Sequence, residues 1–217
     1  MHHIIRLIFI ISLAPIIASA TAQQPDEIII SDKSHPLQTN PLDDYLEING
    51  WKPPEEANIW SSNWRGYIAT WRIDGNHLIL DDVTIRIDGP DSDNSFNEVE
   101  KSILDSLFPN QVKILAKWYT GALIVPTGES VEYVHMGYGS TYSKYSVLEV
   151  KKGIIVKSTN FTIEEFERYK ISKFEKFKKT ETFKAGLLEL TTGENSWSED
   201  SAVSFMYDFF AEKYLSQ

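Results

Sequence analysis

The chain has 217 residues and no cysteine, and sets 21 lysines and arginines against 31 aspartates and glutamates, a formal charge of −10. Disulfides and thiol chemistry are thereby excluded. A surface of this sign repels nucleic acid and anionic membranes, so neither is an expected partner.

At the start, Arg6 precedes an apolar run from Leu7 to Ile17, and Ala20, Thr21 and Ala22 are the small residues signal peptidase requires. We read residues 1–22 as a cleaved secretory signal and 23–217 as one domain exported to the periplasm or beyond. A membrane anchor is the competing reading. Against it, the run falls short of the roughly 20 apolar residues that span a bilayer, and Pro15 interrupts it. No stable membrane insertion is expected after cleavage, which leaves 20 basic residues against 31 acidic ones.

Ile28 to Ile30 reads as an edge strand. Asn40 as cap, Pro41 in the first helical position, and Leu42, Tyr45 and Leu46 on one face predict a short helix ending before Gly50. The stretch from Trp64 to Ile87 is the clearest hairpin: aromatic and β-branched residues, the turn Asp74-Gly75-Asn76, and a return strand. On that return strand Leu78 and Leu80 hold even positions while Val83, Ile85 and Ile87 hold odd ones. The apolar register therefore slips at Asp81 and Asp82, which predicts a bulge or a break there.

Ser95 with Glu98 forms a capping-box pattern, and Phe96, Val99, Ile103 and Leu107 recur at helical spacing up to Pro109, so a helix is expected. Short strands follow at Val112–Tyr119, Ala122–Val125, Glu129–Met136, Lys144–Val150 and Ile154–Ser158, and their short connections favour antiparallel neighbours. Thr162 with Glu165 opens another helix, acidic at its start and lysine-rich later, the order that suits a helix dipole. That order makes Lys170 to Lys179 a solvated face rather than a phosphate or lipid site. Phe183 to Leu190 reads as a strand, and Ser196 or Ser198 caps a last helix that buries Val203, Met206, Phe209 or Phe210, and Tyr214. The expected fold is α+β: an antiparallel, curled or barrel-like β-meander with helices packed on one side.

Three histidines follow the signal, His35, His77 and His135, without metal-ligand spacing, and neither a metal nor a cofactor is expected. No nucleophile elbow or phosphate loop is present, and Gly137 to Ser140 reads as a flexible turn. His135 and Tyr138 lie beside that turn, where the histidine either rims a pocket as a base or faces the core. Asp81 with Asp82, or Glu129 with Glu132, are carboxylate pairs of the kind glycoside hydrolysis uses. Trp51, Trp60, Trp64, Tyr67, Trp71, Trp118 and Tyr119 suit sugar, peptide or protein surfaces, or a core. Arg65 either stacks on a ring or pairs with a carboxylate such as Asp81. The candidate binding set is Arg65, Tyr67, Trp71, Trp118, His135 and Tyr138; no catalytic residue is assigned.

The phrase N-W-R-G-Y-I-A-T-W from Asn63 to Trp71, followed by D-G-N-H-L-I-L, resembles a motif of small uncharacterised bacterial proteins, as do Pro41-Leu42, Tyr45, Trp118, Thr120 and Gly121. Arg72 departs from that pattern, which has an acidic residue there. The resemblance implies a bacterial, single-domain protein and no particular activity. The leading expectation is an exported, non-enzymatic module binding a protein or glycan partner. A hydrolase of cell-wall or environmental polymer using His135 or a carboxylate pair is the alternative, and a structural accessory protein the third.

Overall fold

A computed structural model describes residues 22–90, 97–134, 137–193 and 196–216. The expected signal, all but Ala22, lies outside these residues, as do Ser95, Phe96 and His135.

The chain begins with a tight pair, β1 (Asp26–Ile30) and β2 (Lys33–Leu37), turning through Ser31 and Asp32 at positive φ. Residues 38–67 then carry it through α1 (Asp43–Ile48) and an irregular segment to β3 (Ile68–Asp74). So long a connection permits a crossover, and β3 lies parallel to β1. The expectation of purely antiparallel strands is corrected at this point: the sheet is mixed, though mostly antiparallel. Ile28 to Ile30 is likewise no edge, since β1 sits between β2 and β3.

β4 (His77–Asp88) returns along β3, and the expected bulge is present. Thr70 faces Asp82 while Trp71 faces Leu80, so Asp81 is the extra residue. With the slip absorbed, Leu78, Leu80, Val83 and Ile85 all point into one core. The strand itself starts at Ile68, four residues after Trp64.

Where a helix over Ser95 to Leu107 was expected, the chain forms β5 (Glu98–Ser102) and a single turn, α2 (Leu104–Leu107). The reason is tertiary. On the edge of β4 opposite β3, β11 and β6 pair only as far as Leu80, and β5 takes up the stretch from Thr84 to Asp88. β6 (Ile114–Leu115) is shorter than expected and pairs with Ile79 and Leu80. β7 (Gly121–Pro126) follows, then a small pair, β8 (Ser130–Glu132) with β9 (Thr141–Tyr142), where a longer strand was expected. β10 (Lys144–Lys151) and β11 (Ile154–Thr162) form an antiparallel hairpin beside β7.

The sheet runs β2-β1-β3-β4-β11-β10-β7, with β5 and β6 also on β4. It curls until the Gln38 amide donates to the Ile124 carbonyl at 2.9 Å, but no strand ladder joins β2 to β7, and the sheet is not closed. Inside the curl sit Leu37, Leu42, Trp71, Leu123, Val125, Leu148 and Val150.

Four helices complete the chain: α3 (Ile163–Phe177), α4 (Glu181–Thr191), α5 (Glu199–Phe209) and α6 (Ala211–Leu215). Both bonds of the Thr162–Glu165 capping box are made. Thr180 caps α4 by accepting the Phe183 amide, so the expected strand from Phe183 to Leu190 is a helix. Phe183, Leu187 and Leu190 recur there at helical intervals and all pack inward. The helices cover the outer face of β7 and β10, burying Ala122, Ile124, Tyr145 and Val147 against Phe166, Phe174, Phe177, Met206 and Tyr214. Ser198 caps α5; of the two phenylalanines expected to be buried there, Phe210 packs against the helical core while Phe209 is exposed. Among the described residues no helix is long and apolar enough to cross a membrane.

Candidate functional site

Asp26, the first residue of β1, is fully buried, and its carboxylate gathers the surrounding segments. It accepts the Ala69 amide at 3.1 Å and the Trp71 indole N–H at 3.2 Å, and Arg65 Nη2 lies 2.9 Å away. A buried carboxylate demands such partners, because an unpaired one would cost several kcal/mol. The same Arg65 nitrogen donates to the Gln24 carbonyl at 3.3 Å, and the guanidinium sits over the Tyr67 ring, 4.7 Å from its centre.

Arg65 is as buried as its partner, with a side chain 3% exposed, and Nη1 has no hydrogen-bond partner among the described residues. Asp43 lies 3.9 Å from that nitrogen. Asp43 also accepts a short hydrogen bond from the Tyr67 hydroxyl. Its side chain remains 40% exposed, so this is where the buried knot reaches the surface. Burial pushes the Asp43 carboxyl up to about 6, against the opposing pull of Arg65 and of the Tyr67 bond. Burial also raises the Tyr67 phenol well above its usual range, and the Asp43 charge adds to it. Burial works to lower Arg65, but Asp26 and the other groups around it outweigh that and hold it charged.

Around this knot, the Tyr138 hydroxyl donates to Asn40 Oδ1 at 2.7 Å, and burial raises the Tyr138 phenol. Gln38 holds the same turn by donating to the Tyr138 and Ser140 carbonyls. Glu212 of α6 is pushed up to about 7 by burial, opposed by Lys213 and reinforced by the charges of Asp44 and Asp43.

The knot also sets the loop before β3. Gln24 donates to the Ser62 carbonyl at 2.7 Å, the Asn63 amide to Trp60, and the Gly66 amide to Asn63. Gly66 has φ +74°, and a Cβ there would lie 2.7 Å from Pro53 Cγ, so only glycine lets the chain turn into Tyr67. Asn63, Arg65, Gly66 and Tyr67 are all buried, yet Trp64 between them is 64% exposed. Trp60 at 38% and Ile59 at 54% are exposed on the same loop. The loop is therefore anchored from within and presents apolar side chains outward.

Of the six candidates drawn from sequence, three meet on Asp26 and Asp43, namely Arg65, Tyr67 and Trp71, while Tyr138 is bonded to Asn40. Tyr67 and Trp71 are buried in the curled sheet. Trp118 is half-buried, stacked on Phe108 with centres 5.6 Å apart and donating to the Pro41 carbonyl at 2.9 Å. None of these three rings presents a free face. His135 lies outside the described residues. Arg65 pairs with Asp26 rather than Asp81, whose partner is Arg72 at 2.7 Å. Asp82 is engaged by Ser102 and the Val83 amide, and Glu129 lies in the exposed segment leading to the short β8–β9 pair that holds Glu132.

No family model, curated protein or solved structure matches this chain. Among the described residues no group of three or more histidine, aspartate or glutamate side chains is placed to hold a metal.

Sequence reasoning missed Asp26 and Asp43. Asp26 heads an apolar strand, DEIII, and an acid at the start of so hydrophobic a segment is the one signal that pointed to it.

Proposed function

We propose that the chain is an exported bacterial binding module, without catalytic activity, that engages a partner protein through the loop carrying Ile59, Trp60 and Trp64. The observation that carries this reading is Trp64: a tryptophan left in water while both its neighbours are buried. Burying such a side chain would stabilise the fold by about 2 kcal/mol, so its exposure costs the monomer and is recovered when a partner covers it. Tryptophan is also among the residues that dominate binding energy when enclosed by a partner. The Arg65–Asp26 pair and the backbone bonds at Gln24 and Asn63 support the reading, since a loop held in one shape loses little entropy on docking. A protein partner is favoured over a glycan because Ile59 adds aliphatic surface with no polar group for a sugar hydroxyl.

The test is capture from bacterial envelope extract, beside a glycan array, with Trp60→Ala/Trp64→Ala as the matched control. A partner retained by the natural chain and lost by the variant supports the reading. Blank results in both formats, or equal capture by both chains, overturn it.

One observation favours a second reading, a hydrolase of cell-wall polymer. Asp43 is half-exposed, has its carboxyl near 6, and lies beside a guanidinium and a phenol, the properties of a general acid. Turnover of peptidoglycan by the natural chain and its loss in Asp43→Asn would establish it. Absence of turnover across mildly acidic and neutral pH removes it.

A further inference from the structure

Beside the exposed loop, two like charges are held together without a counter-ion. Asp88 and Glu98 are directly paired across β4 and β5, and the Asn58 side-chain nitrogen donates to both, at 2.8 Å each. Among the described residues no lysine, arginine or histidine forms an ion pair with either. Like charges directly opposite on adjacent strands repel, and a neutral amide orients them without cancelling their charge. Asn58 also donates its backbone amide to the Arg86 carbonyl at 2.7 Å, which ties the loop to this strand pair immediately before Ile59 and Trp60.

Next to that pair is a recess of about 280 Å³ lined by Arg86, Glu98, Val99 and Glu100. Arg86 stands across from Glu100 in the register. Lys101 is held by Glu56 at 2.8 Å. What remains is the negative charge of Asp88 and Glu98, which share one face of the β4–β5 ladder. A lysine or arginine side chain matches this feature, its charged head meeting the two carboxylates.

Building on the reading of the Ile59–Trp64 loop as the contact face, we infer that its partner is a basic polypeptide segment. The segment's lysine or arginine heads meet Asp88 and Glu98, while its apolar side chains cover Ile59, Trp60 and Trp64. The chain's overall acidity steers such a partner from a distance, and the tryptophans supply the close-range energy.

The probe is a short peptide of alternating lysine and leucine, titrated against the purified chain and followed by tryptophan emission and calorimetry at low and moderate salt. The expected result is a saturable blue shift that weakens with salt and is absent for the glutamate–leucine counterpart. Asp88→Asn/Glu98→Gln reduces affinity about fivefold, and Trp60→Ala/Trp64→Ala about 30-fold or more. Glu181→Gln/Glu189→Gln on α4, which removes the same charge elsewhere, leaves it unchanged.

Equal binding of the two peptides overturns the inference, as does equal loss from the α4 variant, which would reduce the effect to net charge. If the chain captures through Trp60 and Trp64 a partner that lacks basic residues, the basic-segment inference fails and the contact face stands. If the double tryptophan variant alters no interaction, the contact face falls and the inference with it.

Discussion

The strands β7 and β10 form a wall with two unlike sides. Toward the curl of the sheet, Leu123, Val125, Leu148 and Val150 join a core of aliphatic and aromatic side chains that also holds a buried ion pair, Asp26 with Arg65. Toward the helices, Ala122, Ile124, Tyr145 and Val147 meet a layer of phenylalanines and tyrosines in edge and stacked contact, such as Phe174 with Tyr214 at 5.3 Å. Hydrophobic area is common to both, but among the described residues the inner side adds a buried ion pair that tells distant segments where to lie. Asp26 draws the start of β1, the entry to β3 and the preceding loop to a single carboxylate. The helical layer is held mainly by shape, with single hydrogen bonds such as that from the Tyr214 hydroxyl to the Tyr207 carbonyl at 2.9 Å, and shape tolerates exchange of one apolar group for another far better than a buried charge tolerates loss of its partner.

The sharpest way to break this contrast is Asp26→Ala, which strands Arg65 and unties Ala69 and Trp71. It should cost about 3–5 kcal/mol in urea unfolding, and a loss below 1 kcal/mol would deny the carboxylate its organising role. On the helical side Phe177→Ala should cost a comparable 3–5 kcal/mol by opening a cavity. The two sides separate when a conservative change is made at each: Phe177→Leu should be much milder than Phe177→Ala, whereas Asp26→Asn should recover only part of the loss. Equal recovery at both positions would erase the distinction between shape and charge.

A smaller effect concerns pH. Asp43 and Glu212 have folded-state values raised to about 6 and about 7, above those of an unfolded chain. The folded state therefore holds more protons between roughly pH 4 and pH 7. Their contribution is fully present below that window and is lost as pH rises through it. Asp43→Asn and Glu212→Gln should each flatten the decline in melting temperature across this range, measured as the difference from the natural chain at each pH. A variant whose curve parallels the natural one would show that its carboxyl does not titrate there. The smallest change is expected at Arg72. Arg72 and Asp81 form an ion pair that is partly exposed on both sides, and Arg72→Ala should shift stability by less than about 1 kcal/mol. A loss as large as that of Asp26→Ala would mean that burial does not separate Arg65 from Arg72.

Local pattern identified some elements correctly because their signals are local. The Thr162–Glu165 cap, the β3–β4 turn and the bulge at Asp81 each follow from a few neighbouring residues and the two-residue period of a strand. Elements decided by a distant partner were misread. Glu98 to Ser102 is a strand because β4 offers it a free edge, and Phe183 to Leu190 is a helix because its apolar spacing meets the helical layer. For the candidate site, Arg65, Tyr67 and Trp71 were recognisable as unusual residues in one segment, but Asp26, on which they converge, lies some forty positions earlier in the chain.

Composition and local order by themselves determined that this protein has no disulfide, combines strands with helices, and turns a hairpin at Gly75 with an extra residue at Asp81. Those properties depend on chemistry within a few residues. Only the tertiary structure decided that β1 runs parallel to β3, that Trp71 is enclosed while Trp64 is left in water, and that Asp88 and Glu98 face each other with no cation paired to them among the described residues. Such outcomes depend on which remote segments share a boundary, and the energy of a buried charge or an exposed ring is set by that boundary rather than by the residue's neighbours in sequence.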